Sequence, residues 1–483
     1  MRHRPIEELL QEVAGAADPE AAIRRHILDF MEAIAESPGE RWQPGTPLRL
    51  FLAGYNGSGN TGADVRVCEM VRQFKAVVGP ELLQPGLLMV KEHLPRDLFA
   101  EVDLELGDLY LPVLLAQKLR AYHGVVTCEG SMFKSSHADL FTMLMAGALG
   151  LGAAAGKPAI GYGADAGKMT PALSDFVAEA CRDAFVISRS GASADLLRDL
   201  GLRVESGADT AWTFDPAPPA RAEELLRAAG WDGSMPVVGI APVNPFWWPA
   251  RLDPQKAREM EATGAHSDAH YGSGVFHTDT AESRALYARY LESIAGAVSA
   301  FGRSRPVFPV IVGMERLDQQ ACKDLAERLG GETAIFAAQD RHPRELVGLL
   351  RRCRILISSR FHALVTAMPG GVAGIGLSMD ERIRNLFDES GQGGRAFRAD
   401  DPELEPKILQ LLESEAEWHG EAAVAAERTT AREIRRMGEM GIAFADELRR
   451  HHPDLPLPKR PRSWDSHLPP LPPLVEDLLA RHA

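Results

Sequence analysis

The sequence predicts two α/β domains, each with a doubly wound parallel sheet, that face a cleft and carry helical extensions at both ends. Its 483 residues exceed what one hydrophobic core normally holds. Short apolar stretches alternate with helical patterns, which is typical of parallel sheets covered by helices. The alternation stops at a Pro- and Ala-rich stretch, 215–220, and then starts again. We therefore expect an N-terminal helical extension, two α/β domains and a helical, Pro-rich C-terminal extension at residues 1–45, 46–232, 233–400 and 401–483.

The N-terminal extension and the first domain follow directly from the apolar pattern. Apolar side chains recur at helical spacing from 19 to 36, and a Pro-Gly pair at 44–45 ends this extension. Four short apolar stretches then resemble buried strands, and each of them precedes a helical pattern. The predicted strands of the first domain are 48–53, 124–127, 158–162 and 184–188. The predicted helices are 64–78, 138–155, 173–183 and a fourth that starts at 192.

The second domain repeats this alternation. Its predicted strands are 236–241, 307–312, 334–337, 355–358 and 372–377. Helices are predicted at 317–329 and 343–352. The polar stretch 245–280 interrupts the pattern, so we interpret it as an insertion. From about 403 onward the chain is helical and charged, and it ends in a Pro-rich segment at 453–473.

Composition narrows the function classes. The net charge is −14 and there is no basic stripe, which argues against a nucleic-acid partner. No apolar window is long enough for a transmembrane segment, and the N-terminus has no apolar signal-peptide region. The five cysteines are scattered and show no C-x-x-C spacing, which argues against a disulfide framework or a cysteine zinc site. We therefore expect a cytoplasmic protein.

Three glycine-rich turns follow predicted strands of the first domain, at 54–62, 129–131 and 161–167. Ligands of open parallel sheets bind outside the carboxyl ends of the strands, where glycine lets backbone amides approach an anion. None of the turns matches a dinucleotide motif or a Walker loop. Each alone is equally well explained as a tight turn, but three in one domain favour a ligand-lining surface. The candidate binding residues in these turns are Asn56, Gly57, Gly59, Asn60, Gly130 and Ser131.

The segment 355–367 of the second domain is the most informative stretch. An apolar strand ends in two serines, and Arg360 and His362 follow where a helix begins. Arginine binds carboxylate or phosphate through its planar fork, and histidine is the commonest acid–base group near neutral pH. A surface arginine and a helix-capping histidine are the alternative interpretation. A second glycine-rich strand end that contains Ser378 argues against it, and Asn244, after the first strand of this domain, is a further candidate.

The motifs also show a family resemblance. Gly-Tyr-Asn-Gly-Ser-Gly-Asn-Thr-Gly starts at residue 54, and Cys-Glu-Gly-Ser starts at 128. Gly-Lys-Pro-Ala-Ile-Gly-Tyr-Gly starts at 156 and Ile-Ser-Arg-Ser at 187. The second domain adds the pattern Ser-x-Arg-x-His-x-Leu from Ser358 and Ser-x-Asp from Ser378. In this order, from about residue 48 to 395, the set resembles the polysaccharide pyruvyl transferase family.

The resemblance implies two Rossmann-like halves arranged as in the GT-B glycosyltransferases. It also implies transfer of pyruvate from phosphoenolpyruvate to hydroxyls of a sugar-like acceptor as a ketal, with release of phosphate. Arg360 and His362 match the donor-site pair of the family, and Arg189 matches the arginine contributed by the first domain. Two positions depart from the family pattern. Arg382 stands where the family often has lysine, and Asp64 comes one residue late because Ala63 intervenes.

These residues suggest a mechanistic hypothesis. Arg189, Arg360 and Arg382 would hold the phosphate and carboxylate of phosphoenolpyruvate, since several cations suit a dense anion. His362 would act as the acid–base group. This chemistry requires no metal and no cofactor beyond the donor substrate itself. Carboxylates near the strand ends are candidates to orient hydroxyls, or are solvated turn and cap residues: Asp64, Glu129, Asp165 and Asp209.

The insertion 245–280 matches no known motif. Trp247 and Trp248 would stack on a sugar ring or serve ordinary packing, and we place packing slightly ahead. His266 and His270 are spaced as metal ligands on a helix, but the surrounding Gly and Ser residues favour a loop. A lid or an acceptor-recognition loop is therefore the functional expectation for this stretch.

Several alternatives stay open at this point. A GT-B-type glycosyltransferase that uses a nucleotide sugar shares the predicted fold. A pyruvyl transferase acting on a small-molecule natural product is a second alternative, and a non-catalytic family member is a third. The terminal helices are compatible with a homo-oligomer and equally with packing on the chain's own body.

Overall fold

The computed structural model describes residues 6–89, 91, 93–107, 112–263 and 274–482. Its first sheet consists, within these residues, of seven parallel strands in the order β3-β2-β1-β4-β5-β6-β7. The strands are β1 (Leu48–Asn56), β2 (Leu83–Met89), β3 (Asp103–Leu106), β4 (Gly124–Thr127), β5 (Ala159–Ala164), β6 (Phe185–Ser188) and β7 (Arg203–Ser206). This strand order describes a doubly wound sheet.

The second sheet contains, in the described part of the chain, six parallel strands in the order β12-β11-β8-β13-β14-β15. A separate antiparallel pair, β9 and β10, lies in the insertion. The strands of the second half are β8 (Val237–Ala241), β9 (Arg251–Leu252), β10 (Val275–Phe276), β11 (Phe308–Gly313), β12 (Ala334–Ala337), β13 (Ile355–Ser358), β14 (Ala373–Ser378) and β15 (Ala396–Arg398).

Helices cover the sheets and form both extensions. Up to residue 228 they are α1 (Ile6–Gly15), α2 (Pro19–Glu36), α3 (Thr61–Val78), α4 (Pro112–Leu119), α5 (Asp139–Ala154), α6 (Pro171–Ala180), α7 (Gly191–Asp199) and α8 (Pro219–Ala228). The others are α9 (Pro254–Ala262), α10 (Ala281–Ser304), α11 (Gln319–Arg328), α12 (Pro343–Arg352), α13 (Phe361–Ala367), α14 (Glu381–Glu389), α15 (Leu404–Glu413), α16 (Glu415–His451) and α17 (Pro473–Arg481). Among the helices described, none combines the length and apolar character that crossing a membrane demands.

The predicted fold class is confirmed: two Rossmann-like, doubly wound domains in a GT-B-like arrangement, with helices at both ends. The sequence pattern did not predict β2, β3 and β7, because the last two are polar edge strands and β2 contains a Pro-Gly pair. The long helix α10 was not predicted either. The domain boundaries given above stay predictions.

The strand order of each sheet reverses beside its first strand, between β1 and β4 in the first sheet and between β8 and β13 in the second. Ligands of doubly wound sheets bind at this switch point, outside the carboxyl ends of the strands. The loop 57–60 follows β1 and residues 128–131 follow β4. Arg360 and His362 follow β13. The strand order therefore brings the glycine turns after β1 and β4 to one switch point, and Arg360 and His362 to the other.

The C-terminal helix α16 returns from the second domain to the first. Its Phe444 is fully buried and stacks on Phe74 of α3, with ring centroids 4.2 Å apart and planes 15° apart. The same ring meets Tyr162 of β5 edge-on at 5.6 Å. The segment after α16 also holds α3, because Arg72 Nη2 donates to the Pro470 carbonyl at 2.6 Å. The C-terminal extension thus completes the core of the first domain.

Replacing Phe444 with alanine is expected to destabilise the fold strongly. The change would leave a cavity against Phe74 and Tyr162, and such losses typically cost about 3–5 kcal/mol. Chemical denaturation followed by circular dichroism measures this difference. Val424→Ala on the same helix is the matched control, since Val424 is 42% exposed and should change stability by less than about 0.5 kcal/mol. Equal stability of the two variants would contradict the assigned role of Phe444.

Candidate functional site

Side chains from both domains meet at one carboxylate. Asp209 Oδ2 accepts a hydrogen bond from Arg189 Nη1 at 2.7 Å and lies 3.3 Å from His362 Nε2. Asp209 and Arg189 belong to the first domain, and His362 belongs to the second. All three lie deep in the contact between domains, with 2%, 4% and 18% of their side chains exposed. The arrangement couples an acid–base group of one domain to an ion pair of the other.

Local structure places Arg189 and His362 within reach of each other. Arg189 leaves the carboxyl end of β6 and also donates to Asp165 Oδ2 at 3.0 Å. Its guanidinium carbon lies 4.4 Å above the Phe361 ring, next to His362. A cation over an aromatic face is attractive, and more so away from water. Arg189 is therefore held by two carboxylates and one ring.

Two glycines make this close approach possible. A Cβ on Gly62 would lie 2.5 Å from His362 Nδ1, and a Cβ on Gly130 would lie 2.5 Å from Arg189 Nη1. Real Cβ atoms do not approach other atoms so closely. The glycine turns after β1 and β4 thus leave room for the two functional side chains.

The protonation states follow from burial and charge. Burial alone would raise the pKa of Asp209, but His362, Arg66 and Arg189 reverse this effect and hold it well below its ordinary value. Burial lowers the pKa of His362, and Arg189 and Arg66 lower it further against the opposing effect of Asp209. Asp209 is therefore ionised, and His362 is neutral at pH 7 in the free protein.

Arg66 is a further buried residue of this site that the sequence patterns did not single out. It is 1% exposed in α3, and its Nε lies 3.3 Å from Asp209 Oδ2. Its Nη2 donates to the carbonyl of Gly163 at 2.8 Å and also to that of Tyr162. Arg66 thus links Asp209 to the carboxyl end of β5. The signal for it was a lone arginine between apolar residues of a helix that starts at a glycine turn.

Arg360 and two acidic side chains form a second cluster of ion pairs. The Nε of Arg360 donates to both carboxylate oxygens of Asp318 at 3.0 Å, and its Nη2 lies 2.7 Å from Glu315 Oε2. The hydroxyl of Ser358 accepts from the Arg360 amide at 2.9 Å, which fixes the turn after β13. Burial raises the pKa of both acids, and Arg360 opposes that rise. Two buried acids therefore share one cation, and neither acid was a sequence candidate.

Arg382 lies in a third group, at the start of α14. Its Nη2 lies 2.7 Å from Asp380 Oδ2 and 3.4 Å from His137 Nε2. Lys134 of the first domain is 1% exposed and reaches Asp380 at 3.3 Å and Glu381 at 2.8 Å. Burial, with Arg382 and Lys134, lowers the pKa of His137 well below its ordinary value, so this imidazole is neutral. Lys134 and His137 were also missed, although both follow the turn at 128–131.

The three predicted arginines therefore contact three different sets of carboxylates. Their joint binding of one donor molecule stays a prediction. The groups are nevertheless neighbours, because Asp165, which binds Arg189, also feels the charge of Lys134. In the same way, the charge of Arg360 acts on His137. We call this continuous set of opposite charges between the domains the band. It consists of the three arginines, Lys134, His137, His362 and the carboxylates that they contact.

The other predicted binding residues lie around this band. Gly59 accepts from the Arg316 amide at 3.2 Å, so the first glycine turn touches the second domain. Asn60 caps α3 by accepting from the Ala63 amide at 3.1 Å. Gly57 accepts from the His93 amide at 2.9 Å, and Ser378 donates to the Asp380 carbonyl. Asn244 accepts from the Phe246 amide at 3.0 Å and makes no hydrogen bond to the other predicted residues described.

The insertion packs its aromatic side chains on one histidine. The His277 ring stacks on Trp247 at 4.4 Å with planes 17° apart, and Trp248 meets it edge-on at 4.9 Å. Trp248 also contacts His137 at 4.9 Å, which brings the insertion beside the Arg382 group. His266 and His270 lie outside the described residues.

The described side chains do not form a metal site: no group of three or more His, Cys, Asp or Glu has the necessary geometry. The band brings arginine guanidiniums, each paired with carboxylates, close to the His362 imidazole. Such a set can bind an anion and move a proton.

Comparisons with known proteins support a family assignment. The sequence model of the family described as polysaccharide pyruvyl transferase matches residues 142–381, just under half of the chain. This match includes Arg189, Asp209, Arg360 and His362. No curated protein matches the chain in sequence.

Solved structures resemble the chain only distantly. A putative UDP-N-acetylglucosamine 2-epimerase from Listeria monocytogenes is 12% identical with a TM-score of 0.49, over 80% of this chain and 95% of that one. UDP-GlcNAc 2-epimerase from Neisseria meningitidis is 10% identical with a TM-score of 0.48, over 83% and 99%. UGT2 from Phytolacca americana is 10% identical with a TM-score of 0.47, over 84% and 100%. At these values the similarities support no statement about function.

The family match spans the motifs that start at residues 156, 187, 358 and 378, whereas the motifs at 54 and 128 precede it. The family match and the motifs both cover the strand ends that carry Arg189, Arg360 and His362, and the family named is one of transferases. The resemblance inferred from the motifs is therefore confirmed: residues 142–381 of this chain carry the sequence of a polysaccharide pyruvyl transferase family segment.

Proposed function

We propose that the protein transfers pyruvate from phosphoenolpyruvate to hydroxyls of a sugar-like acceptor, forming a ketal and releasing phosphate. The observation that carries this proposal is the meeting of Arg189 and His362 at Asp209, between the two domains. A donor with a phosphate and a carboxylate needs cations, and its enol carbon needs a proton. Arg189 would supply a cation and His362 the proton, since both contact Asp209.

The reaction would begin with donor binding among Arg189, Arg360 and Arg382. Arginine forks bind phosphate and carboxylate through paired hydrogen bonds. The negative donor would raise the pKa of His362, which burial and the neighbouring arginines hold low in the free protein. His362 would therefore take up a proton when the donor binds. Asp209, which stays ionised, would keep the protonated ring in place.

Protonated His362 would then deliver its proton to the methylene carbon of the donor. The neighbouring carbon becomes an oxocarbenium-like centre, and a first acceptor hydroxyl adds to it. Phosphate leaves with its bonding electron pair, and a second hydroxyl adds to the same carbon to close the ketal. These steps use side-chain protons and fixed charge alone.

Thermal stabilisation by phosphoenolpyruvate tests the donor directly, because a ligand of the native state raises its apparent stability. We expect a rise in melting temperature with phosphoenolpyruvate that UDP does not produce, and a smaller rise with inorganic phosphate. Arg360→Gln should reduce the rise. Arg328→Gln, an exposed arginine at the end of α11, should leave it intact. A rise with UDP alone would favour a nucleotide-sugar transferase, and no rise with any of these ligands would favour a non-catalytic member.

Gly62→Ala is expected to impair transfer without unfolding the protein. The added Cβ would lie 2.5 Å from His362 Nδ1 and 2.7 Å from its Cβ, so His362 must shift relative to Asp209. A displacement of about 1 Å can cost roughly 100-fold in rate. Phosphate release measures this loss. Gly191→Ala, at the start of α7 with no atom within 4 Å of the new Cβ, is the control and should retain full activity. Full activity of Gly62→Ala would contradict the placement of His362.

A further inference from the structure

Buried polar atoms without partners gather at the switch point of the first sheet. Asn56, at the end of β1, is 1% exposed, yet its Oδ1 has no hydrogen-bond partner among the described residues. Ser131 Oγ, after β4, and Arg66 Nη1 also have no hydrogen-bond partner among the described residues, and Arg66 is 1% exposed. An unpaired buried polar group costs about 1–3 kcal/mol. Three of them at a ligand-binding position of the fold indicate a polar ligand.

Glu129 lies among these atoms. A Cβ on Gly54 would lie 3.2 Å from Asn56 Nδ2 and 3.3 Å from Glu129 Oε1, so the two side chains meet over this glycine. The amide of Tyr55 donates to Glu129 Oε1 at 2.6 Å and fixes the carboxylate. Oε2 makes no hydrogen bond to any residue that the structure describes. Glu129 is half-buried, so this oxygen is accessible to a ligand.

This group adjoins the proposed donor site on the side of the first domain. Glu129 precedes Gly130, which faces Arg189, and Asp64 comes two residues after Gly62, which faces His362. Asp64 is 3% exposed. Burial, with the charges of Glu315 and Glu129, raises the pKa of Asp64 well above its ordinary value and so favours its protonated form. A hydroxyl can donate to the Glu129 carboxylate and accept a hydrogen bond from protonated Asp64.

We propose that Asn56, Asp64, Arg66, Glu129 and Ser131 form a diol subsite. It binds two neighbouring hydroxyls of a sugar, and Glu129 Oε2 accepts the proton of the attacking hydroxyl. The assignment rests on the proposed function, because it supplies the acceptor side of the same reaction. The chemical class of the ligand follows from the unpaired atoms, which combine an amide oxygen, a guanidinium N–H and a hydroxyl, as two neighbouring hydroxyls require.

The proton balance closes with Glu129 in this role. His362 gives its proton to the methylene carbon, and the first hydroxyl gives its proton to Glu129 as its oxygen bonds to the central carbon. Glu129 returns that proton to phosphate as the carbon–oxygen bond of the donor breaks. The second hydroxyl then adds, and its proton passes through Glu129 to restore His362. Two carbon–oxygen bonds form and one breaks, the double bond becomes single, and nothing is oxidised or reduced.

Two variants separate catalysis from binding in this subsite. Glu129→Gln keeps an oxygen for the Tyr55 amide but removes the base. Ser131→Ala removes an unpaired hydroxyl, so it should leave stability unchanged or raise it. Glu179→Gln on α6 is the matched control, since Glu179 is exposed on the same domain. The probes are the methyl α-pyranosides of glucose, galactose and mannose, each added with phosphoenolpyruvate.

Saturation-transfer NMR reports glycoside binding, phosphate release reports transfer, and the phosphoenolpyruvate thermal shift reports donor binding. We expect Glu129→Gln to keep the thermal shift and to lose phosphate release by about 100-fold or more. We expect Ser131→Ala to weaken saturation transfer at unchanged stability, and the control to behave as wild type.

Each contrary result has a distinct meaning. Loss of the thermal shift in Glu129→Gln would place Glu129 in the donor site and overturn the subsite. Unchanged phosphate release in this variant would overturn the role of Glu129 as base. Saturation transfer without phosphate release in the wild type would overturn the proposed transfer reaction. No saturation transfer from the wild type to any glycoside would overturn the sugar diol as ligand. A wild type that phosphoenolpyruvate does not stabilise would instead overturn the proposed function itself, and the subsite with it.

Discussion

His362→Gln is expected to lower the rate of pyruvyl transfer by roughly 10²–10⁴-fold, the usual contribution of a positioned acid–base group. Glutamine matches histidine closely in size and can still donate to Asp209, so the contact between the domains persists. It cannot carry a proton to the donor. Phosphate release from phosphoenolpyruvate measures the loss, and the thermal shift by the same ligand should change little.

The pH dependence gives this prediction a second readout. Burial and the nearby arginines lower the pKa of His362 below its ordinary value of 6.5, and only the protonated ring can donate. In the wild type, kcat/KM should therefore fall as pH rises through that lowered pKa. His362→Gln should lack this limb. The fold favours the neutral ring, so His362 costs stability as pH falls below about 6.5, and the variant should be spared this loss.

His419→Gln is the control for both measurements. The described hydrogen bond of His419 lies outside the band. Its Nε2 is 3.1 Å from the carbonyl of Arg354, at the amino end of β13. This variant should keep the wild-type rate and pH profile. Wild-type turnover in His362→Gln would remove His362 from the acid–base role.

Arg189→Met is expected to destabilise the protein and to abolish donor binding. Arg189 is buried between Asp165 and Asp209, and truncating one partner of a buried ion pair typically costs about 3–5 kcal/mol. Arg66 still neutralises part of the charge on Asp209, whereas Asp165 loses its main partner. Chemical denaturation measures the loss of stability, and the thermal shift with phosphoenolpyruvate measures donor binding.

The sign of the pH dependence distinguishes this cause from lost packing. Arg189 lowers the pKa of both aspartates, so the stability that it contributes is complete above their ordinary pKa of 3.8 and fades as pH falls. The deficit of Arg189→Met should therefore stay complete from pH 7 down to about pH 3.8 and shrink only as the pH falls further. Arg198→Met, an exposed arginine on α7, should show almost no deficit. A deficit independent of pH would point to lost contact with Phe361 instead.

Much of the fold could be predicted because buried parallel strands are short apolar runs. The predicted strands 334–337 and 355–358 coincide with β12 and β13. The missed strands lack this signal for physical reasons. In β2, Gly86 packs under Tyr122, whose hydroxyl would lie 2.0 Å from a Cβ there, so the Pro-Gly pair marks a close approach and not a turn. β7 is a polar edge strand, and the helix that contacts it, α16, comes much later in the sequence.

The site was predictable only in part. Arg189, Arg360 and His362 stand at strand ends in recognisable motifs, so their positions could be named from the sequence. Their partners could not, because Asp318 reaches Arg360 across 42 residues and Lys134 reaches Glu381 across 247. Nothing in the local sequence of either residue records such a contact. Which charge neutralises which is a property of the assembled domains.

The return of α16 to the first domain also bears on how the protein is made. The core around Phe74 and Tyr162 closes only when Phe444 arrives, near the end of the chain. During synthesis the first domain therefore remains unfinished on the ribosome until the second domain has emerged completely. A recombinant fragment that stops at residue 232 would leave this apolar surface open to water and to aggregation. The two halves of the molecule have separate sheets, but the first half cannot complete its core without the C-terminal helix.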